Sequence, residues 1–339
     1  MQYELAIYIG RFQPPHIGHI KAIEYGLTIA KKILIIIGDY RSARTIKNPF
    51  YFSERKEMIL RSVPEELKPR ILFEPIRNFP YNDSLWVTSI QAKVNSLTET
   101  NVCIIGHQKD NSSYYLQLFP QWTFEPSPLV SGIHATSIRE FFFELDDFSL
   151  SPEVNSSLSS GTISFLKEYQ KTDDYNTLKE EYEFLKKYKS IWANSPYPPT
   201  FVTVDSVVLK SGHILVVKRK SSPGKGLLAL PGGFVSQTET LDEGALRELI
   251  EETGIKVHKN ELKNSLLSKQ IFDKPDRSLR GRTITHAYFF NLGIGELPKI
   301  RGGERAEKVI WISLAEIFEN MENFFEDHFS IIEYFIYKH

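Results

Sequence analysis

A single cysteine, Cys103, stands among 339 residues, which excludes an internal disulfide and a thiolate zinc cluster. It lies in the apolar run Val102–Ile105 and is expected to be a small buried hydrophobe. Long hydrophobic runs are missing as well. Ile33–Ile37 is apolar, but Asp39 and Arg41 follow at once, far short of the ~20 residues that span a bilayer. Met1–Tyr8 has no basic segment leading into an apolar core, so no secretion signal is expected. Nor is charge of one sign in excess: 41 Lys plus Arg against 42 Asp plus Glu gives −1. That balance offers no footprint for nucleic acid or a membrane surface. The expectation is a soluble, cytoplasmic protein with small-molecule partners; homo-oligomerisation is left open.

What is present is ordinary globular material, 41% hydrophobic and 24% charged. At ~150 residues per domain the length predicts two domains, each able to bury a core. In the first half, strands are expected at Leu5–Ile9, Ile33–Ile37, Ile71–Pro75 and Val102–Ile105. Helices are expected at His19–Ala30, Glu54–Ser62, Leu85–Leu97 and Ile138–Glu144. Apolar, β-branched strands alternating with helices predict an α/β fold, a doubly wound parallel sheet covered on both faces. Phe148–Ser160 is polar and serine-rich, and Ile163–Trp192 is charged with a helical pattern, as in a connector. Ser195-Pro-Tyr-Pro-Pro199 breaks any helix. Strands at Phe201–Leu209, Ile214–Lys218, Ala287–Leu292 and Val309–Ile312 around a helix at Thr240–Thr253 then read as α+β. The expected division is therefore 1–150, a linker 151–199, and 200–339.

The first strand runs into Gly10-Arg11-Phe12-Gln13-Pro14-Pro15-His16-Ile17-Gly18-His19, where a helix begins. A glycine at the strand exit lets backbone approach a ligand, and a helix N-terminus offers amide donors to phosphate. His16 and His19, three apart, share a face if both lie in the first turn, and can donate to oxygens that gain charge in phosphoryl chemistry.

This string resembles the signature of the nucleotidyltransferases that carry a His-x-Gly-His motif. Its Gly-Arg-Phe-Gln-Pro form is similar to the archaeal-type nicotinamide mononucleotide (NMN) adenylyltransferases. Three further segments agree. Lys47-Asn48-Pro49-Phe50 with Glu54-Arg55 resembles the family's basic–Asn/Asp–Pro–Phe segment. Asp83-Ser84-Leu85-Trp86 resembles the segment whose tryptophan contacts the nicotinamide; a tryptophan face suits a cationic ring, although Trp86 alone reads equally as a core aromatic. Ile133-His134-Ala135-Thr136-Ser137-Ile138-Arg139 resembles the second signature, with His134 and Ala135 where that signature has serines. Arg139 suits a phosphate grip and Thr136 a helix-start hydroxyl. The resemblance implies a Rossmann-like domain that transfers AMP from ATP, its co-substrate, to NMN, releasing pyrophosphate. His16, His19 and Arg139 would be catalytic with Mg²⁺. Gly10, Arg11, Phe12, Lys47, Asp83, Trp86 and Thr136 would bind substrate.

Further on, Gly233 is followed after five residues by Glu239, then after seven by Arg247-Glu248-Leu249-Ile250-Glu251-Glu252-Thr253-Gly254-Ile255. Glu248, Glu251 and Glu252 fall on one helical face, where three carboxylates repel unless cations bind. Hard oxygen ligands of this kind suit Mg²⁺ or Mn²⁺. Seven fixed residues, each used at about 5–7%, coincide by chance only about once in 10⁹ starts.

The pattern, with Leu230-Pro231-Gly232-Gly233-Phe234 before it, is identified as the Nudix box. The Nudix family implies a mixed sheet sandwiched by helices and hydrolysis of a nucleoside diphosphate derivative. Glu248, Glu251 and Glu252 would be metal ligands, with Glu252 also catalytic, and Glu239 and Arg247 would brace the loop and helix. An acid in Gly302–Glu307, either Glu304 or Glu307, would serve as base or further ligand; Glu304 is taken first. ADP-ribose is the expected substrate, because it shares a metabolic circuit with a dinucleotide-forming domain. Arg277, Arg280 and Arg282 in the loop Phe272–Arg282 can contact phosphates or ribose, or can be solvated. The competing reading makes the Nudix domain a regulatory ligand sensor, although such sensors usually carry a broken box, or has it act on another nucleoside diphosphate derivative.

Overall fold

The computed structural model describes residues 1–98, 100–107, 111–128, 130, 134–303 and 306–339. The chain forms two compact units, Met1–Lys179 and Glu180–His339.

The first unit runs β1 (Tyr3–Gly10), α1 (Ile17–Ile29), β2 (Ala30–Ile37), α2 (Phe52–Ser62), β3 (Ile71–Pro75), α3 (Asp83–Asn95), β4 (Val102–Gly106), β5 (Thr123–Pro126), α4 (Ala135–Glu144), α5 (Pro152–Ser157) and α6 (Ser160–Tyr169). Helix α7 (Asp173–Ser190) crosses into the second unit. The sheet order is β3-β2-β1-β4-β5, and every pairing is parallel. Such strands must be apolar on both faces. Ile33, Ile35 and Ile37 join Ala6, Ile23 and Leu27 on one side, while Leu34 and Ile36 join Ile7, Ile90 and Val94 on the other. The strand order reverses between β1 and β4, and ligands of open α/β sheets bind beyond the carboxyl ends at that point.

Residues 151–179 differ from the expected connector. Phe165, Tyr169, Tyr175 and Leu178 are buried, with Tyr169 meeting Phe50 at 5.0 Å and Tyr175 meeting Phe142 at 5.1 Å between ring centroids. Arg61 on α2 forks onto Glu168 at 2.8 and 3.0 Å. The charged outer face of these helices hides an aromatic inner one, so they complete the first unit's core.

The second unit runs β6 (Thr200–Lys210), β7 (His213–Arg219), β8 (Leu228–Ala229), β9 (Gly232–Phe234), α8 (Leu241–Thr253), α9 (Lys259–Asn264), β10 (Leu266–Phe272), β11 (Arg282–Asn291), β12 (Ala306–Ser313), α10 (Leu314–Glu319) and α11 (His328–Lys338). Its mixed sheet has the order β10-β11-β6-β7-β12; β6 and β11 are parallel, and β8 and β9 attach to β7 and β6. Alternation along β11 divides its aromatics between the faces. Tyr288 and Phe290 join the cluster with Leu246 and Leu249 of α8, whereas Phe289 stacks on Phe335 of α11 at 5.3 Å. Helices therefore cover both faces, as expected. No helix among the described residues is long and apolar enough to cross a membrane.

Candidate active sites

In the first unit the candidate residues all follow carboxyl ends of parallel strands, which a parallel sheet brings to one edge. Gly10 ends β1, and a Cβ there would lie 2.9 Å from the Phe12 ring, which is itself buried with φ +53°. The following peptide Gln13–Pro14 is cis. Buried Gln13 exchanges two hydrogen bonds with the Phe50 backbone, donating at 2.9 Å and accepting at 3.0 Å, which ties this loop to Lys47–Phe50. Lys47 is half-buried. His16 precedes the first turn of α1, and its N–H donates to Nδ1 of His19 at 3.1 Å. The two imidazoles stack with centroids 3.7 Å apart, and Phe12 packs on His19 at 4.8 Å.

Arg139 joins this group from α4. Its Nη1 donates to the Gln13 carbonyl at 2.7 Å and its Nη2 to Thr136 Oγ1 at 3.3 Å. Burial, reinforced by the positive charge of Arg11, lowers the Arg139 guanidinium to about 10. Two cations held close enough to repel make a place for an anion. Arg55 was expected only as part of a motif. It is buried and donates to the carbonyls of Arg11 and Gly38 at 2.8 and 2.6 Å, joining the exits of β1 and β2. Asp83 opens α3 and accepts from Tyr114 Oη at 3.3 Å. Trp86, one turn on, is half-buried against Tyr115 and Phe119 at 6.1 and 6.0 Å. Both aromatic readings of Trp86 therefore have a basis, since part of it packs and part stays open. Ile133 lies outside the described residues.

In the second unit Thr240 caps α8 and Gly254 closes it. Arg247 organises the acidic face. It forks onto Glu239 at 2.6 and 2.8 Å and reaches Glu248 at 2.8 Å and Glu251 at 3.0 Å through Nη1. The fork holds Glu239 down to about 2, in keeping with a bracing role. Glu248 is buried against Gly233, where a Cβ would fall 2.6 Å from Oε1, and Glu251 is exposed. Glu252 accepts from the Gly232 N–H at 3.1 Å. Burial, and then the charge of Glu248, pushes its carboxyl up to about 7.

Among the described residues no group of three or more His, Cys, Asp or Glu side chains is gathered as a ready metal cluster. The box glutamates are instead shared out between Arg247 and the Gly232 amide. Their chemistry nonetheless fits a hard divalent cation: all donors are oxygens, and the buried pair Glu248 and Glu252 disfavours its own second charge. Glu304 lies outside the described residues, and Glu307 pairs with Lys218 at 3.0 Å.

Beside the box is a cavity of about 360 Å³, lined by Gly233, Glu252, Arg219, Arg280, Phe325 and His328 among others. The three loop arginines separate here. Arg277 is buried and forks onto Asp327 at 2.9 and 2.7 Å at the cavity wall, Arg280 also lines the cavity, and Arg282 bonds the Asp273 carbonyl at the root of the loop. Arg219 and Arg280 both lie over Phe325, at 4.0 and 5.9 Å from its centroid. Asp205, buried and accepting from Thr285 Oγ1 at 2.6 Å, also reaches this cavity.

A cytidylyltransferase-like family model matches residues 7–141, and a NUDIX domain model matches 199–335. The chain is 38% identical over 184 residues to the nicotinamide/nicotinic acid mononucleotide adenylyltransferase of Acinetobacter baylyi, covering 53% of this chain and 94% of that one. It is 36% identical over 151 residues to the ADP-ribose pyrophosphatase of Methanocaldococcus jannaschii, covering 44% and 77%. A bifunctional NMN adenylyltransferase/ADP ribose pyrophosphatase from Francisella tularensis, solved with AMP and a manganese ion, matches 99% of both chains at 34% identity and a TM-score of 0.92. The chain belongs to the bifunctional NMN adenylyltransferase/ADP-ribose pyrophosphatase family.

Within this bifunctional family both the Rossmann-like and the Nudix expectations stand. The cavity residues Asp205, Arg219, Phe325 and His328 were not found from sequence. They come from β6, β7, the segment before α11 and the start of α11, far from the box in sequence, and only the fold brings them to it.

Proposed function

We propose that this protein makes a dinucleotide at its first site and clears a nucleoside diphosphate sugar, ADP-ribose, at its second. The first unit joins ATP and NMN to give NAD and pyrophosphate. The second hydrolyses ADP-ribose to AMP and ribose 5-phosphate. The observation that carries the reading is that the histidine pair and the Nudix box stand on one chain, each in the setting its chemistry needs. The histidine pair heads α1 at the carboxyl edge of a parallel sheet, and a complete Nudix box borders an arginine-lined cavity.

At the first site the acceptor phosphate is already ionised at neutral pH, so no general base is required. Arg11 and Arg139 hold the triphosphate, with Lys47 and Thr136 contributing further donors. His16 and His19 donate to the phosphoryl oxygens as negative charge builds, and Gly10 and Phe12 shape the backbone approach. Asp83 and Trp86 receive the nicotinamide riboside end. At the second site Arg219 and Arg280 bind the diphosphate, and Glu248, Glu251 and Glu252 hold the cation. Mg²⁺, or Mn²⁺ in its place, neutralises phosphate oxygens at both sites when bound and polarises water at the second.

The test is direct. The full chain is incubated with Mg²⁺ and, separately, ATP plus NMN, ADP-ribose, NAD or a nucleotide sugar, with products followed by mass spectrometry. NAD from the first mixture and AMP plus ribose phosphate from ADP-ribose alone are expected. Synthesis without cleavage of ADP-ribose, NAD or the nucleotide sugar would turn the second unit into a ligand sensor.

A further inference from the structure

His328 is one of nine histidines, 6% exposed, and it forms part of the cavity wall. The main-chain N–H of Leu230 donates to its Nδ1 at 2.8 Å. A nitrogen that accepts carries no proton, so the neutral ring holds its proton on Nε2. Leu230 stands two residues before Gly232, whose amide holds Glu252, so one short loop orients both the histidine and the acid. The ring is pinned from the other side too. Arg277 forks onto Asp327, the residue before it, and Phe325 packs on the imidazole at 5.6 Å.

The charged neighbours explain why a neutral donor is built here. Burial and the cations Arg277, Arg219 and Arg280 oppose protonation and outweigh Asp327, which favours it, so the ring is held down to about 3. Of the three cavity arginines, Arg277 is paired with Asp327, while Arg219 and Arg280 supply positive charge for phosphate. A locked, uncharged N–H adds direction instead, and an oxygen acceptor is the group that satisfies it.

We propose that His328 is a substrate-binding residue of the second site, donating from Nε2 to an oxygen of the nucleoside diphosphate substrate. This rests on the hydrolase reading above. Asparagine separates the two roles of the ring: its amide oxygen can still accept from Leu230, but nothing replaces Nε2–H. In the full chain, His328→Asn is expected to keep its melting temperature and raise the KM for ADP-ribose roughly tenfold, while kcat changes less. NMR of ¹⁵N-histidine-labelled full chain, assigned with the same variant, is expected to show protonated Nε2 and bare Nδ1 from about pH 5.5 to 8. Addition of AMP without metal is expected to shift the Nε2–H signal. A protonated Nδ1, titration in that range, or an unchanged KM in folded His328→Asn would overturn the assignment. Failure of the unaltered protein to cleave ADP-ribose would instead remove the hydrolase reading, and the AMP response would still decide whether His328 touches nucleotide.

Discussion

The main-chain N–H of His16 donates to Nδ1 of His19 at 3.1 Å, and the two rings lie stacked with centroids 3.7 Å apart. The neutral His19 ring therefore carries its proton on Nε2, in a fixed orientation at the head of α1. A pre-oriented donor of this kind is worth about 10²–10³ in kcat when it meets developing charge. His19→Ala is expected to lose that much NAD synthesis and to keep ADP-ribose hydrolysis. Rates of both reactions on one preparation check this, and equal loss of both would reject separate sites.

Trp86 tests the nicotinamide end. It packs on Phe119 and Tyr115 but stays half-open, and a tryptophan face attracts a cationic ring more strongly than phenylalanine does. Trp86→Phe is expected to raise the KM for NMN about two- to fivefold and leave that for ATP unchanged. An unchanged KM with a lowered melting temperature would make Trp86 a packing residue only.

The close seating of α6 on α2 depends on Gly161, where a Cβ would fall 2.2 Å from the Arg61 carbonyl oxygen. The backbone there cannot yield cheaply. Gly161→Ala is expected to destabilise the first unit by about 1–3 kcal/mol in denaturant melts. No change would detach residues 160–169 from that core.

How much of this was legible beforehand follows from physical range. The continuous apolar run Ile33–Ile37 and the strand-exit string Gly10–His19 are local signals, and strand, turn and helix appear there as expected. The box is local as well, since one helix and its leading loop carry all its residues. The aromatic inner face of residues 160–179 was masked by the charges between its members. β5, at four residues, is too short to stand out. His328 could not be found at all, because the amide that defines its tautomer is 98 residues away.

The same histidine gives a pH prediction. Its folded value, about 3, lies below the ordinary 6.5, so its neutral state stabilises the fold above 6.5 and that contribution is lost as pH falls toward 3. Between those limits the group adds up to about 1.4 kcal/mol of lost stability per pH unit. Urea melts of His328→Asn between about pH 4 and 6 are expected to show a shallower acid loss than the unaltered protein. Parallel slopes would mean that the buried ring does not govern acid stability.

The most direct test of two independent active sites is Glu252→Gln assayed for both reactions in the same tube with Mg²⁺. The amide keeps an oxygen to accept from the Gly232 N–H but removes the charge beside Glu248. ADP-ribose cleavage is expected to fall by at least about 100-fold, as when one preorganised charge-stabilising group is removed, while NAD synthesis stays within experimental error. Retained cleavage would contradict the metal-ligand assignment, and lost synthesis would contradict the independence of the two sites.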